Sequence, residues 1–298
     1  MPAVLGALAL VGVVLLVLPA RHDQPAPLPG PTGGSNLSSR IHDFATSLRE
    51  DAPYQLPTAA ERQELTQTLD QLATGRTGGV RERLTPLGFT VDTGTDAATG
   101  RPYLIIASLP NAPRGWGIYL VDLSVHSRVA IQVPHPANDL HTDEVGLELF
   151  RRLPGAVLAV SGTHRRVANG AGDVAHQTDS MFHAVAENQS RHRIPQVQLH
   201  GFDDASLAAV DVVLSPGAGQ ASPEIERIGD GLHDAGLDVC RAWRRDCGDL
   251  EGKRNKQGIT AAADDVPFAH VEMSRSTRDD PKRWGKVVQV IEDTFRSS

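Results

Sequence analysis

The chain has 298 residues, with 36 Asp and Glu against 29 Lys and Arg and a formal net charge of −7. At 40% apolar and 22% charged residues its usage is that of an ordinary globular protein, which excludes collagen-like, coiled-coil and wholly disordered chains and leaves room for one large domain or two small ones. Basic residues are scattered or sit in short runs such as Arg241, Arg244 and Arg245, so no stripe exists to neutralise a phosphate backbone, and no nucleic acid is expected as a partner.

The first segment is an uncharged run, VLGALALVGVVLLVL from Val4 to Leu18, with the character of a signal-peptide h-region or a membrane anchor. Residues 1–20 approach the length needed to cross a hydrocarbon core of roughly 30 Å. The poor A-x-A pattern before Arg21 leaves both cleavage and retention open. Either outcome places the rest of the chain outside the cytoplasm, secreted or membrane-anchored, and a retained segment would contact the membrane. Residues 21–36 are rich in Pro and Gly and read as a tether. Residues 37–298 then read as an α/β hydrolase-like domain that begins with a helical segment over 37–80.

Within that segment IHDFATSLRE and AAERQELTQTLDQLAT carry apolar residues at helical spacing, and Pro57 with Thr58 supplies a start signal for the second. From residue 80 the pattern changes to short β-rich runs: FTVDT, YLIIASL, GIYLVDL, RVAIQV, AVLAVSG, PQVQLHGF, DVVLSPG and AHVEMS. Helices are expected between them near 142–152, 175–189, 222–235 and 281–294. This alternation predicts an α/β architecture, a single mixed and largely parallel sheet flanked by helices, with antiparallel pairs in the early strand-rich run. Cys240 and Cys247, in CRAWRRDC, do not have zinc-site spacing; in an oxidising compartment a local disulfide is favoured over free thiols.

In open α/β sheets functional side chains gather at the carboxyl ends of strands. RVAIQV runs into PHPANDLHTDEVGLELF, which puts His135 and Asp139 in such a loop, either as ligands of one divalent ion or as turn and capping residues, with Thr142 as a possible N-cap. His200 stands near the end of PQVQLHGF, and a third ligand there would leave an open, catalytic type of zinc site. In HVEMSRSTR the alternation turns Glu272 away from Val271 and Met273, toward solvent or a site. The loop GTHRRVANGAGDVAHQTD gathers Arg165, Arg166, Asp173 and His176; it reads as a clamp for an anionic substrate or as a solvated connection whose Asp173 caps the next helix. Asn255, Gln257 and Gly258 read as a polar loop, lining the cleft or simply at the surface.

Over roughly residues 100–295 these segments resemble the zinc-dependent amidohydrolases related to carboxypeptidases, especially poly-γ-glutamate hydrolases of phage type and, more distantly, N-formylglutamate amidohydrolases. The resemblance is carried by His135 with Asp139, by His200, and most specifically by HVEMSRSTR with Glu272, Ser274, Arg275 and Arg278. It implies a zinc-exopeptidase (phosphorylase/hydrolase-like) fold, one zinc ion held by His135, Asp139 and His200, and Glu272 as the general base that activates water. It further implies that Arg165, Arg166, Arg275 and His176 face the substrate. The activity implied is hydrolysis of a peptide or γ-glutamyl-type amide bond, in a peptide or a polyamide such as a cell-wall or capsule polymer. One departure stands out: carboxypeptidase-type sites carry the acid three residues after the first His, whereas position 138 is Asn and Asp139 lies four residues on. That leaves open a re-shaped loop, another ligand such as Glu144, or weakened metal binding, and with the last a catalytically inactive, membrane-tethered binding module on the same scaffold. No G-x-S-x-G elbow, P-loop or G-x-G-x-x-G occurs, so serine hydrolysis and nucleotide use lack their motifs.

Overall fold

In the computed structural model, which describes residues 36–296, both leading helices form where the periodicity places them. The apolar run at 4–18 and the tether up to residue 35 lie outside the described residues. α1 is Leu37–Ser47, capped by the Asn36 side chain, and α2 is Ala59–Ala73. Thr58 and Glu61 start α2 reciprocally, each side chain accepting the other's backbone N–H, which satisfies two donors that a helix start leaves orphaned.

The remaining elements follow in the order α3 (Val80–Leu84), β1 (Phe89–Thr95), β2 (Pro102–Ser108), β3 (Ile118–Asp122), β4 (Val129–Val133), α4 (Thr142–Arg152), β5 (Ala156–Val160), α5 (Val167–Gly170), α6 (Met181–Arg191), β6 (Gln196–Phe202), β7 (Val212–Ser215), α7 (Pro223–Asp234), β8 (Val239–Arg241), α8 (Lys256–Ala263), β9 (Phe268–Ser274), α9 (Arg275–Asp279) and α10 (Pro281–Arg296). All eight strand-like runs of the sequence become strands; the three-residue β8 is too short to show a pattern. The helix expected near 175–189 starts later, at Met181, because Ser180 provides the cap by accepting the His183 N–H. Residues 255–258 are not a loop: Asn255 caps α8 through the Gly258 N–H.

The strands form one sheet in the order β1-β2-β3-β5-β4-β6-β9-β7-β8. Parallel pairing joins β5, β4, β6 and β9, and also β7 with β8; β1–β2, β2–β3, β3–β5 and β7–β9 are antiparallel. The sheet is thus evenly mixed rather than largely parallel. No helix separates β1, β2 and β3, and without a crossover element neighbouring strands return antiparallel. Parallel β4 and β5 are buried at every position, as strands covered on both faces must be. α1, α4, α7 and α10 pack on one face, and α2, α6 and α8 on the other. Among the described residues no helix is long and apolar enough to cross a membrane.

Cys240 and Cys247 are disulfide-bonded, and both are buried beside Phe202 and Val213, so the crosslink ties the edge strand β8 to the loop that follows it.

Topology decides where a site can form. β4 has β5 on one side and β6 on the other, so the chain leaves β4 in one direction, over α4, and then returns across it, with α6 on the opposite face, to build β6. The two crossovers diverge at the carboxyl end of β4 and open a crevice there. His135 lies two residues beyond that end.

Candidate metal centre

Three imidazoles and two carboxylates converge on the crevice. Backbone N–H groups of Asn138 and Asp139 both donate to the His135 carbonyl, a helix-like turn that brings Asp139 back toward His135. The Thr142 hydroxyl donates to the Asp139 carbonyl at 2.6 Å and holds the turn closed, while His141, with φ of 70°, occupies the cap position of α4. Asp139 is therefore the acid that reaches the site: its Oδ2 lies 3.4 Å from His135 Nδ1 and 3.4 Å from His200 Nδ1. Asn138 instead turns to the His164 ring. Glu144, the alternative acid, lies on α4 beside His141 and His42, outside the cluster.

His200 and Glu272 are direct cross-strand partners in the parallel β6–β9 pair, and His270 pairs with Gln198 one step along the same face. Period-2 alternation turns Val197, Leu199, Val271 and Met273 into the apolar core and Gln198, His200, His270 and Glu272 to the opposite face. The His200 ring packs 5.2 Å from that of His135 and 4.5 Å from that of His270, centroid to centroid. Two triads bring one ligand atom each into a common neighbourhood: His135, Asp139 and His200, and His200, His270 and Glu272. All five residues are buried.

The donor set fits a divalent ion. Each histidine of the first triad commits its other ring nitrogen elsewhere: His135 Nε2 donates to Asp173 Oδ1 at 2.8 Å, and His200 Nε2 donates to Gln198 Oε1 at 2.7 Å. Those bonds fix the tautomers so that each Nδ1 carries a free lone pair within 3.4 Å of Asp139 Oδ2, the arrangement in which an outer partner orients a metal-ligating imidazole. His135 Nδ1 is buried and has no hydrogen-bond partner. Two neutral imidazoles and one carboxylate form a three-ligand set suited to zinc, with a coordination position left open.

The local electrostatics agree for Asp139 and His200, and His135 departs from them. Burial opposes ionisation of Asp139, but the neighbouring His135 and His200 hold its carboxyl far below the usual range. Burial keeps His200 and, more strongly, His270 below the ordinary imidazole value and hence neutral. For His135 burial acts in the same direction, yet Asp139 and Asp173 outweigh it and raise its value. Glu272 is pushed well above the carboxylate range by burial and then by the Asp139 charge, against Arg278 and Arg165. A divalent charge between those carboxylates would act in the same sense as the two arginines.

Under the site lies a chain of buried amides. Gln198 Nε2 donates to Gln132 and Gln257, Gln132 donates to Gln196, and Asn255 donates to the Gln198 oxygen that holds His200. With its amide hydrogens engaged by acceptors, the Gln198 oxygen must face His200. If the donor set holds a divalent ion, replacing Gln198 with Met is expected to weaken its binding by about 10–100-fold with the secondary structure intact; calorimetric titration beside circular dichroism checks this, and unchanged affinity would remove Gln198 from the site.

Arg278 is buried, and its guanidinium donates to the carbonyls of Leu140, Phe202 and Met273, tying the loop after β4 to the ends of β6 and β9. Gly201 makes room: a Cβ there would lie 2.3 Å from Arg278 Cζ. Arg165 reaches Asp173 Oδ2 at 2.9 Å and is linked through it to His135; His176 contacts the same carboxylate at 3.1 Å. Asp173 does not cap α6 but supports the site. Arg166 pairs with Glu50 at 3.2 Å and Arg275 with Asp279 at 2.7 Å, both largely solvated. Sequence reasoning missed His270 and the part played by Gln198; the signal was QVQLH and HVE, polar at every second position of strands whose other positions are apolar.

No family model matches the chain, and no curated protein matches it. Among solved structures it is similar to a bacteriophage poly-gamma-glutamate hydrolase, at 12% identity over 77% of this chain and 95% of that one, TM-score 0.42. It is also similar to zinc-free YndL, at 14% identity over 57% of this chain and 85% of that one, TM-score 0.41. A metallo-carboxypeptidase from Burkholderia cenocepacia is a third, at 13% identity over 72% of this chain and 68% of that one, TM-score 0.39.

Proposed function

We propose that the chain is a metal-dependent hydrolase of amide bonds, with zinc held by His135, Asp139 and His200 and with Glu272 as general base. The observation that carries this reading is the convergence of His135 Nδ1, His200 Nδ1 and Asp139 Oδ2, with both outer ring nitrogens already engaged by Asp173 and Gln198. A divalent ion bound there supplies Lewis-acid polarisation of a carbonyl and lowers the pKa of water.

The chain's own residues would do the rest. Glu272, beside His200 across the strand pair, accepts the proton of the attacking water and returns it to the leaving nitrogen. Asp173 holds His135 in its tautomer and at the same time positions the Arg165 guanidinium. Arg165, about one-third exposed, is the arginine placed to meet a substrate carboxylate or the developing oxyanion; His176 stands beside it. Arg278 has its donors on backbone carbonyls and serves to position the loop.

The substrate class, a peptide or γ-glutamyl-type polymer such as a cell wall or capsule, rests on the sequence resemblance carried by HVEMSRSTR. Export, as a secreted or membrane-anchored protein, is supported by the apolar run at 4–18 together with the Cys240–Cys247 disulfide, which persists in oxidising compartments. Elemental analysis of protein purified without chelator is expected to find about one zinc per chain, with amide hydrolysis that a chelator abolishes. Absence of both would overturn the reading in favour of an inactive binding module.

A further inference from the structure

His270 has no role in the mechanism above, yet it is 3% exposed, and its Nδ1 is buried without a hydrogen-bond partner. One oxygen of Glu272 is in the same condition. Two orphaned polar atoms on one strand face, two residues apart, are costly unless something satisfies them. Each of these residues, together with His200, offers a ligand atom within 4.8 Å of the other two. The Gly252 backbone packs against the Nε2 edge of the His270 ring, where a Cβ would lie 2.6 Å from Nε2, so the ring is held in place.

We infer that His200, His270 and Glu272 form a second position for a divalent cation, overlapping the first and exclusive with it. The inference rests on the metal-dependent reading of the same crevice. Exclusivity follows from His200: its Nε2 hydrogen is given to Gln198, which leaves one lone pair, on Nδ1, for both positions. An ion in the second position has two imidazoles and a carboxylate, as in the first, but its carboxylate is the proposed base. That position is therefore a non-productive seat for the ion, and because one ion serves both, its share does not change with metal concentration.

Cobalt(II), whose visible absorption reports its ligands, is the probe. The metal-free protein, its His135→Ala, Asp139→Asn and His270→Ala variants, and the double variant His135→Ala/His270→Ala are each titrated. Wild type is expected to bind one cobalt per chain, and His135→Ala to bind one still, with a shifted spectrum; the double variant should lose it. Asp139→Asn, nearly isosteric, gives the same comparison if His135→Ala does not fold. No cobalt bound by either His135→Ala or Asp139→Asn while wild type binds one would overturn the second position and leave the first intact. So would an identical spectrum and affinity in the single and double variants. No cobalt in wild type would overturn both positions.

Discussion

Glu272→Gln is expected to lower kcat by about 100- to 10,000-fold, the range that a positioned general base contributes, while zinc content stays at the wild-type level. The change is nearly isosteric, and one carboxylate oxygen of Glu272 has no partner to lose. The carboxyl stands beside His200 in register and away from the apolar face of β9, so its removal leaves the His135, Asp139 and His200 set untouched. Amide hydrolysis measured beside elemental analysis separates the outcomes. Turnover retained by the variant would take Glu272 out of the mechanism, and loss of zinc would make it a ligand in the resting protein.

His200→Ala should have the largest effect on the metal. His200 belongs to both triads, so neither position survives its loss, and the drop in affinity is expected to exceed the roughly 10–100-fold that a supporting partner contributes. Thermal unfolding reads this without any substrate. At zinc about 100 times its Kd the wild type should gain about 2.7 kcal/mol, and the variant nothing. A zinc-dependent rise in Tm that persists in His200→Ala would place the ion elsewhere in the molecule.

The strands and most of the helices were legible because their signals are local. β5 reads as a short unbroken apolar run and β4 as one interrupted only by Gln132, α2 carries its own capping box, and the amphipathic stripe of α10 begins at a helix-starting Pro281. The disulfide was legible too, since two cysteines seven residues apart have few other uses outside zinc spacing. β8 was not, because three residues cannot show a period of two. α8 was missed for a related reason: Asn255, Lys256 and Gln257 are polar as a loop would be, yet one is a cap and another is buried in the amide chain.

For the site, position at strand ends made His135, Asp139 and His200 candidates and alternation turned Glu272 away from its apolar neighbours, while their joint reading as ligands and base came from the resemblance carried by HVEMSRSTR. Sequence by itself could not choose between Asp139 and Glu144. That choice was made by a turn closed by two N–H groups on one carbonyl and by Thr142, which carries Asp139 inward and leaves Glu144 on the outside of α4. Nor could it separate Arg165 from Arg166, which are adjacent in the chain but bond to Asp173 and to Glu50 respectively. Asp173, Gln198 and His270 acquire their roles only when β6 and β9 pair in parallel and the loop after β5 folds over His135. Local pattern determined which elements form and which faces are polar; strand order and register, set by burial of the apolar faces, decided which polar groups meet.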